Sequence, residues 1–470
     1  MQRLLFLTVM SVVAPCAAAA VPSAPCTAFV HVTVVNPSKT LAGERTVVIC
    51  GTRISSIGAA SSNHPGKRLR IVDARAKFLI PGLWDMHVHL TQAGESSAPL
   101  FLLHGVTSVR DCGSTFAVLQ QWRSKIANGT LTGPRIKGAG AMLESRAWLE
   151  RNRKLDEDAI AHGFPPDLAE SERRTMEGRI GVKSPKEARE VVDILKAKGA
   201  DFIKVRNAES PEILYALAAA AKMKGLPVAG HVIAGVNLAK ASDAGQKSIE
   251  HDEDYFDSKP TPVTPEQQRK LAAHFARNGT VLVPTIVVQE YRLASDGQLQ
   301  AALDHVSEHT APVRRALSPE LKTFWRLVQW DSKDDTPEDW PAKLRQGKDF
   351  VRVMRKAGVK ILPGTDLGTP LLYPGASLLD ELQIFVDEIG MSPREALRSA
   401  TILPAEWFGI QGEMGTIAPG KLADLVLLDA NPTEDIRNLR KISGVVANGK
   451  FYDRADLDHF GPSQGFAGHN

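Results

Sequence analysis

Between residues 78 and 368 the chain alternates short apolar runs with longer segments of helical periodicity. Most runs are separated by helical segments such as SPEILYALAAAAKMKG, in which Ile213, Leu217 and Ala221 recur on one helix face. Eight runs predict strands: FLIPGLWDMHVHL, GVTSVRDCG, RIKGAGAML, ADFIKVRN, LPVAGHVI, QKSIEHDE, TVLVPTIVV and VKILPGTDLG. Eight alternating strand–helix units predict an α/β fold with a closed, TIM-like (β/α)8 barrel. An open, doubly wound sheet is the alternative.

The two ends of the chain have a different character from the middle. They contain short β-branched runs separated by polar turns: AFVHVTVVNP, RTVVICGTRISSIGA and RLRIVDA at one end, GTIAPGKLADLVLLDANP and ISGVVANGKFYD at the other. We expect one small β-sandwich built from both terminal regions. The chain has 470 residues, enough for a barrel of about 250 residues and a smaller domain. The predicted boundaries are 21–76 and 409–456 for the sandwich, 77–408 for the barrel and 457–470 for a tail.

Residues 1–20 have the pattern of an export signal. Arg3 precedes the apolar run LLFLTVMSVVAP, and the alanines at 18–20 fit a small-residue cleavage site. The apolar run is shorter than the roughly 20 residues that span a bilayer, which favours cleavage over a membrane anchor. We therefore expect a secreted or periplasmic protein without stable membrane insertion.

Cleavage of such a signal leaves three cysteines, Cys26, Cys50 and Cys112. An exported protein can form disulfides. Cys26 and Cys50 flank neighbouring short strands, which makes them the candidate pair; two unpaired cysteines are the alternative. None of the three has an adjacent activating base, which argues against thiol catalysis. The formal net charge of +4 is small for this length and gives no attraction for nucleic acid.

Two connections are longer than usual for a barrel. We call residues 144–182, after the third strand, the first excursion, and residues 290–345, after the seventh strand, the second excursion. Both follow the carboxyl ends of strands, where barrel enzymes build their sites. Each is therefore either a lid over the site or a solvated pair of surface helices.

His87 and His89 close the first predicted strand. Side chains at positions i and i+2 of a strand project from the same face, so these two imidazoles can hold one metal ion. This spacing alone is weak evidence for a metal site. Four further candidates lie within or at the end of other predicted strands: Lys204, His231, His251 and Asp366. Because the strand ends of a barrel converge on one mouth, all six side chains are predicted to be neighbours.

This series of motifs resembles the amidohydrolase superfamily, and within it the imidazolonepropionase-like branch that contains prolidase-like (Xaa-Pro) dipeptidases and related carboxypeptidases. The motifs stand in the family's order across residues 28–453: PGLWDMHVHL, GVTSVRD, DFIKV, AGHV, SIEHD, PGTD and GTIAPGKLADLVLLD. The resemblance implies an enzyme that hydrolyses carbon–nitrogen bonds with two divalent metal ions. No GxGxxG motif after a strand, phosphate loop or GxSxG elbow occurs, so nucleotide cofactors and serine catalysis are not indicated.

The resemblance also implies a ligand set. One ion would be held by His87, His89 and Asp366, the other by His231 and His251, and a carboxylated Lys204 would bridge them. An ordinary lysine with a pKa of about 10.4 would repel a metal, whereas a carbamate offers two anionic oxygens; a structural ion pair is the alternative for Lys204. Imidazole and carboxylate ligands favour Zn²⁺, with Mn²⁺, Co²⁺ and Fe²⁺ left open.

The expected reaction is attack on an amide carbonyl by a hydroxide held between the two ions, with Asp366 moving a proton to the leaving amine. Arg206 shares a strand face with Lys204, and either binds a substrate carboxylate or pairs with a carboxylate of the protein. The first role implies small substrates such as dipeptides or N-acyl amino acids. Hydrolysis of a cyclic amide, and a barrel that binds ligands without catalysis, are the alternatives. Oligomeric state is left open.

Several other charged residues near these motifs are expected to have structural roles. Arg110 and Asp111 close the second strand, and they are expected to form an internal salt bridge or to line the mouth of the barrel. Glu250, Asp252, Glu253 and Asp254 are expected to be solvated or to lie behind the ligands.

Overall fold

The structure is a computed structural model that describes residues 26–59, 69–161, 163–251, 264–293, 296–303, 317–331 and 340–460. The predicted export signal, the end of the tail and the acidic residues 252–254 lie outside these ranges. No helix within the ranges is both long enough and apolar enough to cross a membrane.

The strands of the described ranges fall into a terminal group and a central group. The terminal strands are β1 (Cys26–Val34), β2 (Arg45–Cys50), β3 (Arg53–Ala59), β4 (Leu69–Asp73), β5 (Phe78–Pro81), β15 (Leu425–Leu428), β16 (Ile442–Ala447) and β17 (Lys450–Asp453). The central strands are β6 (Leu83–Val88), β7 (Val106–Asp111), β8 (Arg135–Gly138), β9 (Met142–Ser145), β10 (Arg179–Val182), β11 (Ile203–Val205), β12 (Val228–Gly230), β13 (Gln246–Glu250) and β14 (Val281–Val283).

Helices connect most of the central strands and follow them to the C-terminus. They are α1 (Leu90–Ala93), α2 (Ala98–Leu103), α3 (Phe116–Ala127), α4 (Arg146–Ala161), α5 (Pro166–Glu177), α6 (Pro185–Ala197), α7 (Pro211–Met223), α8 (Leu238–Ala244), α9 (Pro265–Asn278), α10 (Ile286–Tyr291), α11 (Asp296–Leu303), α12 (Pro319–Asp331), α13 (Trp340–Lys356), α14 (Ala376–Asp387), α15 (Pro393–Ser399), α16 (Ile402–Trp407) and α17 (Arg454–Asp458).

The helix α7 shows how the apolar pattern determines packing. Ile213, Leu217 and Ala221, spaced at one helix face, are all buried in the main core. Pro211 occupies the first turn, where its missing N–H costs no hydrogen bond. Gly225 follows the helix with a φ of 67°, a conformation that glycine adopts without steric cost. The predicted core-facing stripe is therefore confirmed.

Strands from both termini pair in one sheet. The division into a sandwich at 21–76 and 409–456 and a barrel at 77–408 stays a prediction. The order of strands in the sheet is β17-β16-β15-β5-β1-β2-β3, with β4 paired to β1. Phe29, Leu79, Leu425 and Val446 pack in a separate apolar cluster on this sheet. The run expected as one strand from residue 78 is divided: β5 joins the terminal sheet, whereas β6 joins the central strands. Gly82 lies at the division, where a Cβ would fall 1.9 Å from Thr107 Oγ1.

The central strands pair in parallel in two sheets, β6-β7-β8 and β10-β9-β11-β12-β13-β14. The run predicted as the third strand is interrupted between β8, which pairs with β7, and β9, which pairs with β11. The run predicted as the eighth strand makes isolated parallel bridges, Leu282↔Ile361 to β14 and Val88↔Leu367 to β6. The fold is therefore α/β with parallel sheets, and closure into a barrel stays a prediction.

The two excursions meet beside the carboxyl ends of the central strands. The first contributes α4, α5 and β10, and the second contributes α11 and α12. Helices α5 and α12 pack together, and Arg326 pairs with Asp167 at 2.8 Å between them. Thr175 of α5 and Phe324 of α12 line one cavity. The excursions thus form part of a cavity wall.

Cys26 and Cys50 form a disulfide at the start of β1 and the end of β2, where they are direct partners in the antiparallel register. This settles the pairing that the sequence left open. Cys112 is buried, and burial raises the pKa of its thiol to about 12. The thiol of Cys112 is therefore protonated near neutral pH.

Removing this disulfide in a Cys26→Ser/Cys50→Ser variant is expected to lower the free energy of unfolding by about 3 kcal/mol. The bridge joins residues separated by 24 positions, and it restricts the unfolded chain accordingly. Urea denaturation followed by circular dichroism measures the change. Dithiothreitol should destabilise the wild type and leave the variant unaffected; equal destabilisation of both would contradict the assignment.

Candidate metal centre

Three of the six predicted residues converge where β6 ends and the segment after residue 360 passes beside it. Nε2 of His87 lies 3.4 Å from Oδ1 of Asp366, and Nε2 of His89 lies 3.2 Å from the same oxygen. The backbone N–H of Asp366 donates to the carbonyl of His87 at 2.8 Å. Val88, between the two histidines, is buried in the main core. The strand alternation predicted from the sequence is therefore present.

The other three predicted residues complete the cluster. Nζ of Lys204 on β11 lies 3.5 Å from Nε2 of His87. The ring centroid of His251 is 4.7 Å from that of His87 and 4.7 Å from that of His231. Lys204 is 1% exposed, and in the described ranges no carboxylate oxygen lies within 4.0 Å of its Nζ. All six residues are thus neighbours, although they come from five separate segments.

Three of the seven non-glycine residues with positive φ in the described ranges lie at this cluster. His251 and Asp366 have positive φ values of 68° and 57°, and Thr285, which contacts His251, has a φ of 48°. Residues with a Cβ rarely adopt this region, at a cost of about 1–3 kcal/mol each, and such residues cluster at functional sites. The strain directs these side chains toward the cluster as the chain leaves each strand.

A glycine brings His231 close to the strand that carries Lys204. Gly230 ends β12 with a φ of 143°, and a Cβ there would lie 1.8 Å from the carbonyl oxygen of Val205. The next backbone N–H, of His231, donates to that carbonyl at 3.0 Å. Only glycine permits this approach of the two strands.

Hydrogen bonds at Nδ1, on the side of the ring that faces away from the cluster, orient two of the imidazoles. Nδ1 of His87 lies 2.9 Å from Oε2 of the buried Glu250, and Nδ1 of His251 lies 2.8 Å from Oγ1 of Thr285. Both contacts leave Nε2 for the centre of the cluster, the arrangement that supports ligand histidines in metal sites. Glu250 is held in turn by Arg110 at 2.6 Å. The predicted internal salt bridge of Arg110 is confirmed.

The guanidinium of Arg110 is itself fully buried. It lies 4.9 Å from the ring centroid of Trp407 and 5.4 Å from that of Phe202. These cation–π contacts and the pair with Glu250 compensate the charge inside the fold. The sequence placed Glu250 among solvated or supporting carboxylates, and the structure identifies it as a supporting one.

Burial and neighbouring charges favour the neutral form of His87 and the ionised form of Asp366. Burial, followed by the charge of Lys204, lowers the pKa of His87 well below its usual value. Burial raises the pKa of Asp366, but the charge of His251 and the hydrogen bond from His89 outweigh it and hold that pKa well below its usual value. Neutral imidazole and ionised carboxylate are the forms that bind metal ions.

Asp85 connects β6 to the segment that carries Asp366. Its Oδ2 accepts a hydrogen bond from Thr365 Oγ1 at 2.7 Å, and its Oδ1 accepts one from the backbone N–H of Thr365 at 3.1 Å. Burial raises the pKa of Asp85 to about 7. Asp85 therefore fixes the position of the residue next to Asp366.

The donor set fits a divalent cation. Ligand atoms of His87, His251 and Asp366 all lie within 4.8 Å of one another. Nitrogen and carboxylate donors at such spacing suit Zn²⁺ and related ions. The cluster opens into a cavity of about 230 Å³, whose walls include His89, His231, Lys204 and Asp366.

Arg206 lines the same cavity, as its position two residues after Lys204 predicts. Its Nη1 also lies 3.3 Å from Oε1 of the buried Glu144. The wall residues that the sequence analysis did not single out include Arg179, Arg292 and Phe324, which belong to the two excursions. No periodic signal there distinguishes a wall residue from a solvated one.

Replacing Glu250 by Gln is expected to weaken metal binding by about 10- to 100-fold, because an amide is a weaker acceptor for His87 and leaves Arg110 less compensated. Competition with a chelator measures the affinity. Glu381→Gln is a matched control, since Glu381 is a buried carboxylate that accepts from the backbone of Ile286 and Val287 instead. Equal weakening in both variants would mean that Glu250 has no specific role.

Comparison with known proteins agrees with this geometry. The Amidohydrolase family model matches residues 78–452, so the chain belongs to the amidohydrolase family. The prediction of this superfamily and of its prolidase-like branch is confirmed. The protein is a hydrolase that acts on carbon–nitrogen bonds, and members of its superfamily use divalent metal ions.

Individual relatives are distant but cover most of the chain. Ochratoxinase from Aspergillus niger is 25% identical over 88% of this chain and 84% of its own length. Imidazolonepropionase from Rubrobacter xylanophilus is 25% identical over 82% of this chain and 84% of its own length. A Xaa-Pro dipeptidase crystal structure with bound methionine superposes with a TM-score of 0.64 at 25% identity, covering 91% of this chain and all of the other.

Proposed function

We propose that the protein cleaves the amide bond of dipeptides or N-acyl amino acids at a binuclear metal centre. His87, His89 and Asp366 would hold one ion, His231 and His251 the other, and a carboxylated Lys204 would bridge them. Zn²⁺ is the favoured metal. The observation that carries this proposal is the convergence of all six side chains, with Nζ of Lys204 3.5 Å from His87 Nε2 and without a carboxylate partner in the described ranges.

The metal ions, when bound, supply Lewis acidity and a lowered pKa for water at the site. Asp366 is the group that moves the proton. Its side chain is about one-fifth exposed (21%) toward the cavity, so it can take a proton from the attacking water and donate it to the departing nitrogen. Without that donation the amine would leave as an unfavourable anion. Glu250 and Thr285 keep the histidine rings in the orientation that this arrangement needs.

The proposed substrate class rests on the cavity and on the relatives. A cavity of about 230 Å³ suits a small molecule, and the positive charge of Arg206 suits a carboxylate. The named relatives include an ochratoxinase and a Xaa-Pro dipeptidase. The imidazolonepropionase relative keeps cyclic amides as the second candidate.

Two further proposals concern the whole molecule. The eight runs predicted as barrel strands close into a barrel. This is supported by two hydrogen bonds that join the eighth run to its neighbours on either side: Leu362 N–H to Leu282 O of β14 at 2.9 Å, and Met86 N–H of β6 to Pro363 O at 3.0 Å. The protein is exported after cleavage of residues 1–20, supported by the signal pattern and by the Cys26–Cys50 disulfide.

The substrate proposal is tested by incubating zinc-loaded protein with a library of dipeptides and N-acyl amino acids and measuring amine release. Lactams and bulky aryl amides without a carboxylate form the comparison set. We expect release to be confined to the carboxylate-bearing amides. Release confined to lactams would favour the cyclic-amide reaction, and no release from either set would favour a non-catalytic binding protein.

A further inference from the structure

Two arginines, Arg179 and Arg206, line the cavity beside the candidate metal ligands, and we call them the arginine pair. Arg206 follows β11, and Arg179 begins β10 within the first excursion. Their side chains are 38% and 13% exposed. Arg179 is therefore largely buried, Arg206 is partly exposed, and both side chains reach the cavity.

Both arginines contact the same oxygen of one buried carboxylate. Nη1 of Arg206 lies 3.3 Å from Oε1 of Glu144, and Nη1 of Arg179 also contacts that oxygen. Burial and then the charge of Arg206 lower the pKa of Arg179, with Glu144 and Glu172 opposing this effect. Nε of Arg179 is buried and has no hydrogen-bond partner among the described residues. Oε2 of Glu144 is likewise buried without a hydrogen-bond partner among the described residues, so the carboxylate is shared by the two arginines through Oε1 alone.

An aromatic ring fixes the positions of the arginine pair. The guanidinium carbons of Arg179 and Arg206 lie 5.2 and 5.1 Å from the ring centroid of Trp148, in the first turn of α4. Cation–π contacts of this kind hold guanidinium groups in place. Donors that are already oriented lose less entropy when a ligand binds.

The charges of the cavity wall favour an anion. Among the described wall residues Asp366 is the one carboxylate, and it belongs to the metal cluster. The guanidinium groups of the arginine pair lie on the same wall. A ligand anion would meet planar, forked donors of the kind that match a carboxylate.

We propose that the arginine pair binds the carboxylate next to the amine side of the scissile amide. This inference rests on the proposed function and narrows it, because a free carboxylate beside the cleaved bond restricts the enzyme to the C-terminal bond of its substrates. Arg179, contributed by the first excursion, becomes a residue that determines specificity. Glu144 and Trp148 are positioning residues that hold the pair.

The test uses ligands that cannot be cleaved, N-methanesulfonyl-L-phenylalanine and its carboxamide, bound to the metal-loaded protein in a calorimeter. The wild type should bind the acid about 10- to 100-fold more tightly than the carboxamide, the range expected for hydrogen bonds to a charged group. Arg206→Ala should reduce this ratio to about threefold or less. Arg179→Lys should do the same, because it keeps the charge that Glu144 needs and loses the forked donors.

Arg292→Ala is the matched control, since Arg292 lines the same cavity and lies outside the pair. It should retain the preference for the acid, and thermal unfolding midpoints should show that all variants are folded. Equal binding of acid and carboxamide by the wild type, no binding of the acid at millimolar concentration, or an equal loss in Arg292→Ala would overturn the proposal. Selective binding of the acid without amine release from any N-acyl amino acid would instead refute the proposed reaction and leave the carboxylate site standing.

Discussion

Replacing Asp366 by Asn is expected to lower kcat by about 10²- to 10⁴-fold while changing substrate affinity by less than about threefold. Asn keeps the shape of the side chain and one oxygen near His87 and His89, which lie 3.4 and 3.2 Å from Oδ1 in the wild type. It cannot accept the proton of the attacking water or return it to the departing nitrogen. The loss therefore falls on the chemical step.

Steady-state kinetics, with the affinity of an uncleaved ligand measured separately, distinguishes these effects. Metal content must be determined for the same preparation, because Asp366 is also a proposed ligand. Asp380→Asn is a control carboxylate that pairs with Arg440 away from the site, and its kcat should be unchanged. Equal losses of binding and turnover in Asp366→Asn would contradict the proton-transfer role.

Replacing Lys204 by Ala is expected to remove at least one of the two proposed metal ions and to lower kcat/KM by about 10³-fold or more. The reason is that the variant lacks the proposed bridging ligand, and a metal ion that would act as a Lewis acid is lost with it. The proposed carbamate also predicts that metal uptake by the metal-depleted wild type depends on bicarbonate. In Lys204→Ala this dependence should vanish. Elemental analysis after reconstitution with and without bicarbonate measures both effects.

Lys360→Ala provides the matched control, because Lys360 lies in the segment that bridges β14 and pairs with Glu406 on the surface. That variant should bind metal as the wild type does. Metal uptake independent of bicarbonate in the wild type, together with normal metal content in Lys204→Ala, would instead support a purely structural lysine.

Much of the site follows from strand periodicity. His87 and His89 share a face because side chains alternate along a strand, and the ends of parallel strands lie on one side of a sheet. Those two rules bring Lys204, His231 and Asp366 to the same place without any knowledge of loop structure. The same reasoning placed Arg206 on the cavity wall.

What the sequence could not supply depends on irregular backbone and on contacts between distant segments. The eighth run makes only isolated bridges, since Pro363 lacks an N–H and Asp366 adopts a positive φ of 57°. Arg179 and Trp148 lie in the first excursion, where no periodicity fixes which way a side chain faces. Glu250 could be placed behind His87 only once the distance between them, 2.9 Å, was known.

Elemental analysis of purified, zinc-reconstituted protein tests the arrangement of the six side chains most directly. We predict two metal ions per chain in the wild type. When His231 and His251 are both replaced by Ala, we predict that one of the two ions is lost and one remains. One ion per chain in the wild type, unaffected by that double replacement, or no metal at all, would contradict the binuclear centre.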